Sequence, residues 1–184
     1  MIYLLRHGLD DERFIGGYSD VPLIPEGIKQ AELARDFLVK SNLGIDKIYS
    51  SDIARAKQTT DIVNEKLNLD VIYDEGLREL DKGLLTGLEK SIAYHEYPEY
   101  KDLKLVSIKY PNGESMKEFY DRVINYFSNF KDDNCLLVTH RGVINMLYFN
   151  FTNTPLSMDK EQFGVTHGSI HELDIDKKYI RKIF

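Results

Sequence analysis

Three short apolar runs in this chain each lead into residues that carry, or can take, a positive charge. Ile2-Tyr3-Leu4-Leu5 runs into Arg6-His7-Gly8; Ile45 to Tyr49 runs into Ser50-Ser51-Asp52, with Arg55 soon after; Cys135 to Thr139 runs into His140-Arg141-Gly142. Two guanidiniums and two imidazoles beside a helix N-terminus make a pocket for a dianion, and phosphate is the obvious one. An isolated Arg-His pair is ordinary surface chemistry, whereas three strand ends repeating the pattern are hard to obtain by accident. No Walker-type glycine loop is present, so a nucleotide cradle of that kind is not expected.

Elements of two kinds must position these groups. The apolar runs read as buried parallel strands, with Asp70 to Tyr73 as a further short one. Pro25-Glu26-Gly27 opens a helix whose buried stripe is read as Ile28, Ala31, Ala34 and Leu38. A second helical face runs through Ile53, Ala56, Thr60, Val63 and Leu67. Ser115 and Glu118 have capping-box spacing ahead of a helix carrying Met116, Phe119, Val123, Phe127 and Phe130, and another helix spans Gly142 to about Asn150. Glu75 to Pro111, with Tyr94, Tyr97 and Tyr100, reads as an insertion with one or two short helices. The tail shows two β-rich pieces, Phe163 to Thr166 and Ile170 to Ile175, before a short basic end.

Strands alternating with helices predict an α/β fold: a three-layer α/β/α sandwich on a largely parallel sheet, residues 1–184 forming one domain with a helical insertion at about 75–111. In such sheets ligands bind outside the carboxyl ends of the strands, so neighbouring strands would bring Arg6, His7, Arg55 and His140 to one point. Ser50 or Ser51 would cap the helix from which Arg55 leans back over the strand end.

Composition narrows the partners. The 184 residues carry a net charge of −6, with 42% hydrophobic and 29% charged residues, a globular balance with no basic face for nucleic acid. The run Lys177-Lys178 to Arg181-Lys182, flanked by Asp174 and Asp176, reads as a solvated edge. The run Ile2 to Leu5 before Arg6 has only four apolar residues, too few for a signal-peptide core, and no run approaches the ~20 residues that cross a bilayer. A cytoplasmic location and no membrane partner are therefore expected. The single cysteine, Cys135, reads as a packed core thiol, and no cysteine cluster offers a zinc site. His167 and His171 are nearly metal-spaced but lack a third ligand and read as ordinary polar residues. Nothing in the sequence sets an oligomeric state.

The motifs resemble those of the histidine phosphatase superfamily, also called phosphoglycerate mutase-like. Leu4-Leu5-Arg6-His7-Gly8 is similar to its nucleophile motif, Pro25-Glu26-Gly27 with Gln30-Ala31 to the following segment, and Ser50 to Ala56 with Thr59 to the second-arginine motif. Leu77-Arg78-Glu79-Leu80 with Gly83 resembles the segment carrying the acid; Pro111 to Ser115 and Val138-Thr139-His140 complete the order. The resemblance implies that His7 attacks phosphorus to give a phosphohistidine, while Arg6, Arg55 and His140 hold the phosphoryl oxygens. Glu79 would protonate the leaving alkoxide and then take a proton from water, its carboxyl kept neutral at about pH 6–7 by the phosphate beside it. The expected activity is that of a metal-independent phosphomonoesterase acting on a small phosphate ester, with no cofactor. A cofactor-dependent phosphoglycerate mutase is the alternative; a catalytically weak phosphate-binding module is a third reading, against which His7, Arg55, Glu79 and His140 all stand.

The chain also departs from that pattern. The loop from Leu9 to Asp20 lacks the family's phosphate-contacting Asn, for which Arg13 is a candidate substitute. Ile24 stands where a capping Thr or Ser is usual, and Arg141 stands where Gly is usual. Facing the pocket, Arg141 would bind a second anionic group; facing outward, it would be a surface residue.

Overall fold

The computed structural model describes residues 1–184. Six strands form one sheet: β1 (Ile2–Arg6), β2 (Lys47–Ser50), β3 (Val71–Tyr73), β4 (Cys135–Thr139), β5 (Ile170–Asp174) and β6 (Tyr179–Lys182), in the order β3-β2-β4-β1-β5-β6. The first four are mutually parallel; β5 runs antiparallel to β1, and β6 antiparallel to β5. Five α-helices accompany them: α1 (Pro25–Ser41), α2 (Ala54–Leu67), α3 (Lys90–Glu96), α4 (Met116–Asn129) and α5 (Arg141–Phe151).

The alternation of side chains along a strand divides the core into two layers. Ile2 and Leu4 of β1 pack with Cys135 and Leu137 of β4 among Phe119, Val123, Ile144 and Leu147 from α4 and α5. Tyr3 and Leu5 face the other way, with Leu136 and Val138, against Ala34, Leu38, Ala56 and Val63 from α1 and α2. Strands covered on both faces read as unbroken apolar runs, which is why β1 and β4 were visible in the sequence.

Several expectations shift in detail. The buried stripe of α1 is Gly27, Ala31, Ala34 and Leu38; Ile28, one position out of phase, is exposed. The cap of α2 is Ile53 with no side-chain hydrogen bond, so neither Ser50 nor Ser51 caps that helix. Ser115 and Glu118 do form the reciprocal capping box of α4. Phe163 to Thr166 is loop, whereas the basic end forms β6, with Ile180 turned into the core and Arg181 pairing with Glu172. Residues 75–111 hold α3 and three single-turn 3-10 helices (Glu75–Leu77, Gly83–Leu85, Pro98–Tyr100). No helix is long and apolar enough to cross a membrane.

Candidate active site

The register of the sheet sets the carboxyl ends of β2, β4 and β1 side by side: Ser50 lies opposite Val138, and Thr139 opposite Arg6. Beyond those pairs the ladder goes one step further, with His7 N donating to Thr139 O at 3.0 Å and Ser51 N to Val138 O at 2.9 Å. Arg6, His7, Ser51 and His140 are therefore placed by the backbone ladder itself. Just past His7 the chain crosses the first turn of α1 so closely that a Cβ on Gly8 would lie 2.2 Å from Gly27 O, and one on Gly27 2.1 Å from Leu9 O. Each glycine is there because the other backbone is. Gly8 N donates to Thr59 Oγ1 (3.1 Å) and Leu9 N to Gln30 Oε1 (2.9 Å), which gives the Thr59 and Gln30 of the motifs their structural role.

The imidazole of His7 is buried, and its tautomer follows from one hydrogen bond. Nδ1 lies 2.7 Å from the carbonyl oxygen of Gly8, which can only accept, so Nδ1 carries the proton and Nε2 the lone pair. Burial, together with the charges of Arg55 and Arg6, holds its pKa well below the usual histidine value, leaving the ring neutral and nucleophilic at pH 7. Arg55 Nε donates to that lone pair at 3.2 Å and lies 3.5 Å from Asp10 Oδ2. The rest of the Arg55 guanidinium is fixed by the carbonyls of Gly17 (2.8 Å) and Ser19 (3.3 Å). Arg6 donates Nη1 to Val165 O (2.7 Å) and Nη2 to His167 Nε2 (2.5 Å), while its buried Nε has no partner. Burial lowers Arg6 to about 10, still a cation at neutral pH.

His140 stands beside His7, with ring centroids 5.1 Å apart, but is fully buried and does not itself line the cavity above His7. Its Nε2 lies 2.8 Å from Ser51 Oγ, and Ser51 Oγ accepts from Ile53 N at 3.4 Å. The other ring nitrogen, Nδ1, is a buried atom with no protein partner.

Glu79 reaches the site from the segment after β3. Its Oε1 accepts from Leu80 N (2.9 Å) and its Oε2 from Gly142 N (3.0 Å) at the first turn of α5. A Cβ on Gly142 would lie 1.9 Å from Oε1, so glycine at 142 is what admits the carboxylate. Three ties fix the segment. Arg122, paired with Glu114 (2.7 Å), donates to the carbonyls of Glu79 (3.1 Å) and Arg78 (3.3 Å); Arg78 pairs with Asp52 at the end of β2; Thr139 Oγ1 donates to Leu77 O (2.8 Å). Arg78 is thus committed to Asp52 rather than to Glu79.

These groups surround a cavity of about 210 Å³ whose wall includes Arg6, His7, Arg55 and Glu79. Arg141 also lines it while tethered to Glu161. Arg13 does not: it is bound to Asp11 through Nε and Nη2, and its side chain is 78% exposed, so it does not stand in for the missing Asn as a cavity contact. Sequence reasoning missed His167, which lines the cavity and braces Arg6. The available signal was the closing strand: β5 starts opposite Leu5, which brings the residues before Ile170 against the end of β1. His7, Asp10 and His167 have ligand atoms within 4.8 Å of one another, close enough for a metal ion. The lone pairs of His7 and His167, however, already accept from Arg55 and Arg6, and two guanidiniums in the same space suit an anion better than a cation.

Four of the five histidines share a consequence. Burial holds His7 and His140 well below the ordinary value, His167 at about 3 and His171 at about 4, the last bonded to Tyr148 Oη and Ser169 Oγ. Unfolded histidines titrate at about 6.5, so below that pH the unfolded chain binds more protons and folding stability falls, by about 1.4 kcal/mol per pH unit for each fully neutral histidine until its folded pKa is reached. The urea midpoint should drop steeply between pH 7 and pH 5; a flat profile would show that these rings are protonated in the folded state.

Comparison with known proteins gives one consistent family. A sequence profile described as histidine phosphatase superfamily (branch 1) matches residues 2–182. A protein of Citrobacter koseri named probable phosphoglycerate mutase GpmB is 37% identical over 132 residues, covering 66% of this chain and 59% of its own length. Among solved structures, YhfR of Bacillus stearothermophilus has a TM-score of 0.77 at 26% identity, covering 95% of this chain and 91% of that one. The alpha-ribazole phosphatase from Shigella flexneri matches in fold, with a TM-score of 0.74 at 22% identity over 99% of this chain and 94% of that one.

Proposed function

Because the chain belongs to the histidine phosphatase superfamily, branch 1, we propose that it is a phosphomonoesterase that hydrolyses a small phosphate ester through a phosphohistidine at His7. The observation that carries this reading is the state of His7: a neutral ring with its proton on Nδ1 and its Nε2 lone pair held by the Arg55 guanidinium, in the wall of a cavity that Arg6 also lines. Nε2 attacks phosphorus as the P–O bond to the alcohol breaks, and the Glu79 carboxyl gives its proton to the departing oxygen. Water then enters, loses a proton to the Glu79 carboxylate and attacks phosphorus as the P–N bond breaks, releasing inorganic phosphate and restoring Nε2. Arg6 and Arg55 neutralise the phosphoryl oxygens, the main demand of a loose phosphoryl-transfer transition state; His140 packs against the His7 ring from behind the cavity wall. Residues 1–184 act as one domain in this scheme, with segment 75–111 contributing Glu79 and part of the cavity roof.

The name of the Citrobacter relative favours a second reading, a mutase that returns the phosphoryl group to another oxygen of the same substrate. A phosphatase differs in sending the group to water. The test is release of inorganic phosphate from a panel of phosphomonoesters with chelator present, together with trapping of a phosphoryl-enzyme. Chelator-resistant release without a bisphosphate primer is expected. Primer-dependent conversion of 3-phosphoglycerate to its isomer without phosphate release would transfer the assignment to the mutase.

A further inference from the structure

A second cavity, of about 220 Å³, adjoins the first, and Lys82 and Lys160 line both. Its remaining wall is mainly apolar and aromatic, with Leu85, Leu103, Tyr100 and Tyr110, and carries one further charge of each sign, Lys101 and Asp102. In a chain with 30 acidic and 24 basic side chains, several cations around the site are paired with carboxylates: Arg141 with Glu161, Arg78 with Asp52, Arg122 with Glu114 and Arg55 with Asp10. Lys82 and Lys160 are not. Neither Nζ has a carboxylate or a hydrogen-bond acceptor in reach, and Lys160 is engaged only through its carbonyl, which accepts from Asn145 Nδ2 at 2.9 Å. Burial, and next the charge of Lys160, bring the Lys82 ammonium down to about 7, an opposing pull from Glu79 notwithstanding.

Two ammonium groups facing the same space without a counter-ion raise each other's energy, and an anion between them removes that cost. A lysine acts as a point charge with rotatable donors, so the pair serves a carboxylate or a phosphate equally well. We propose that the ester hydrolysed here carries a second anionic group, a carboxylate or a second phosphate, which Lys82 and Lys160 hold at the junction of the two cavities while the ester phosphate sits on His7. The proposal rests on the phosphomonoesterase reading and adds a substrate class to it.

The test uses matched esters: fructose 1,6-bisphosphate against fructose 6-phosphate, and 3-phosphoglycerate against glycerol 3-phosphate, with p-nitrophenyl phosphate as an ester that has no second anion. The wild-type kcat/KM should favour the doubly anionic member of at least one pair by about 10- to 100-fold, the worth of a charge-assisted contact. Lys82→Gln and Lys160→Gln should each remove part of that preference, chiefly through KM, and the double variant should bring the ratio close to unity. Lys82→Arg, which keeps the charge, should retain most of it. Absence of a preference in both pairs, or a preference that survives the double variant, overturns the proposal. Failure of the underlying activity looks different: p-nitrophenyl phosphate is then not hydrolysed and no phosphoryl-enzyme forms, and the second-anion site falls with it.

Discussion

A His7→Ala protein should hydrolyse no ester at a measurable rate and trap no phosphoryl group, while unfolding as cooperatively as the wild type. The imidazole supplies the lone pair that accepts from Arg55 in the wall of the cavity that Arg6 also lines. Removal of a covalent nucleophile costs about 10⁴- to 10⁶-fold in kcat. The fold should survive, because residue 7 is held by backbone bonds just past β1 and its side chain bonds only the neighbouring Gly8 carbonyl and Arg55. Arg55 keeps its anchors on Gly17 and Ser19. Phosphate release by the folded variant within tenfold of wild type would remove the covalent route and leave water as the attacking group.

Glu79→Gln should have an effect that depends on the alcohol. For alkyl esters, whose alkoxides are poor leaving groups, loss of the proton donor should cost about 10²- to 10⁴-fold; for p-nitrophenyl phosphate, which departs unaided, the loss in the first step should be small. The second step still lacks a base, so phosphohistidine should accumulate with the activated ester and appear as a burst of p-nitrophenol followed by slow turnover. The structure adds a qualification on stability. Both carboxylate oxygens accept from backbone N–H groups, those of Leu80 and Gly142, and an amide has one oxygen for the two. One of those donors therefore faces an NH₂ group in the variant, at a cost of about 1–3 kcal/mol. Leaving-group dependence of the first step separates the chemical role from this structural one: a uniform loss in the rate of phosphoryl-enzyme formation across all esters would mean that Glu79 only holds α5 in place.

What could be read from the sequence, and what could not, divides along sequence distance. Arg6, His7 and His140 were legible because each follows a buried strand and the sheet register does the rest. Arg55 was legible because a helical side chain leans toward the helix start, although the supposed cap was wrong: Ser51 spends its hydroxyl on His140 instead. Local spacing also gave the Ser115 capping box. Glu79 was accessible only through the resemblance, since its position depends on Arg122, Asp52 and Thr139, none of them near it in sequence. His167 and β6 were missed because their positions depend on an antiparallel return to β1, which no local periodicity announces. Arg13 was settled by a neighbour two residues away, Asp11, whose competing attraction the motif comparison does not weigh. The lysine pair was invisible for a simpler reason: 78 residues separate the two, and only the fold faces them onto one cavity.

The bond from Arg55 Nε to the lone pair of His7 has a bearing on what the resting molecule will tolerate. A neutral, unprotonated imidazole is ordinarily open to alkylating and acylating agents. Here the reactive electron pair is already occupied by a cation that has little reason to leave for an uncharged electrophile. A phosphate ester brings oxygens that compete for the guanidinium, and the same contact that binds the ester unmasks the nitrogen that must attack it. In the proposed mechanism, the group that recognises the ester thereby also shields the attacking nitrogen from chance chemical damage.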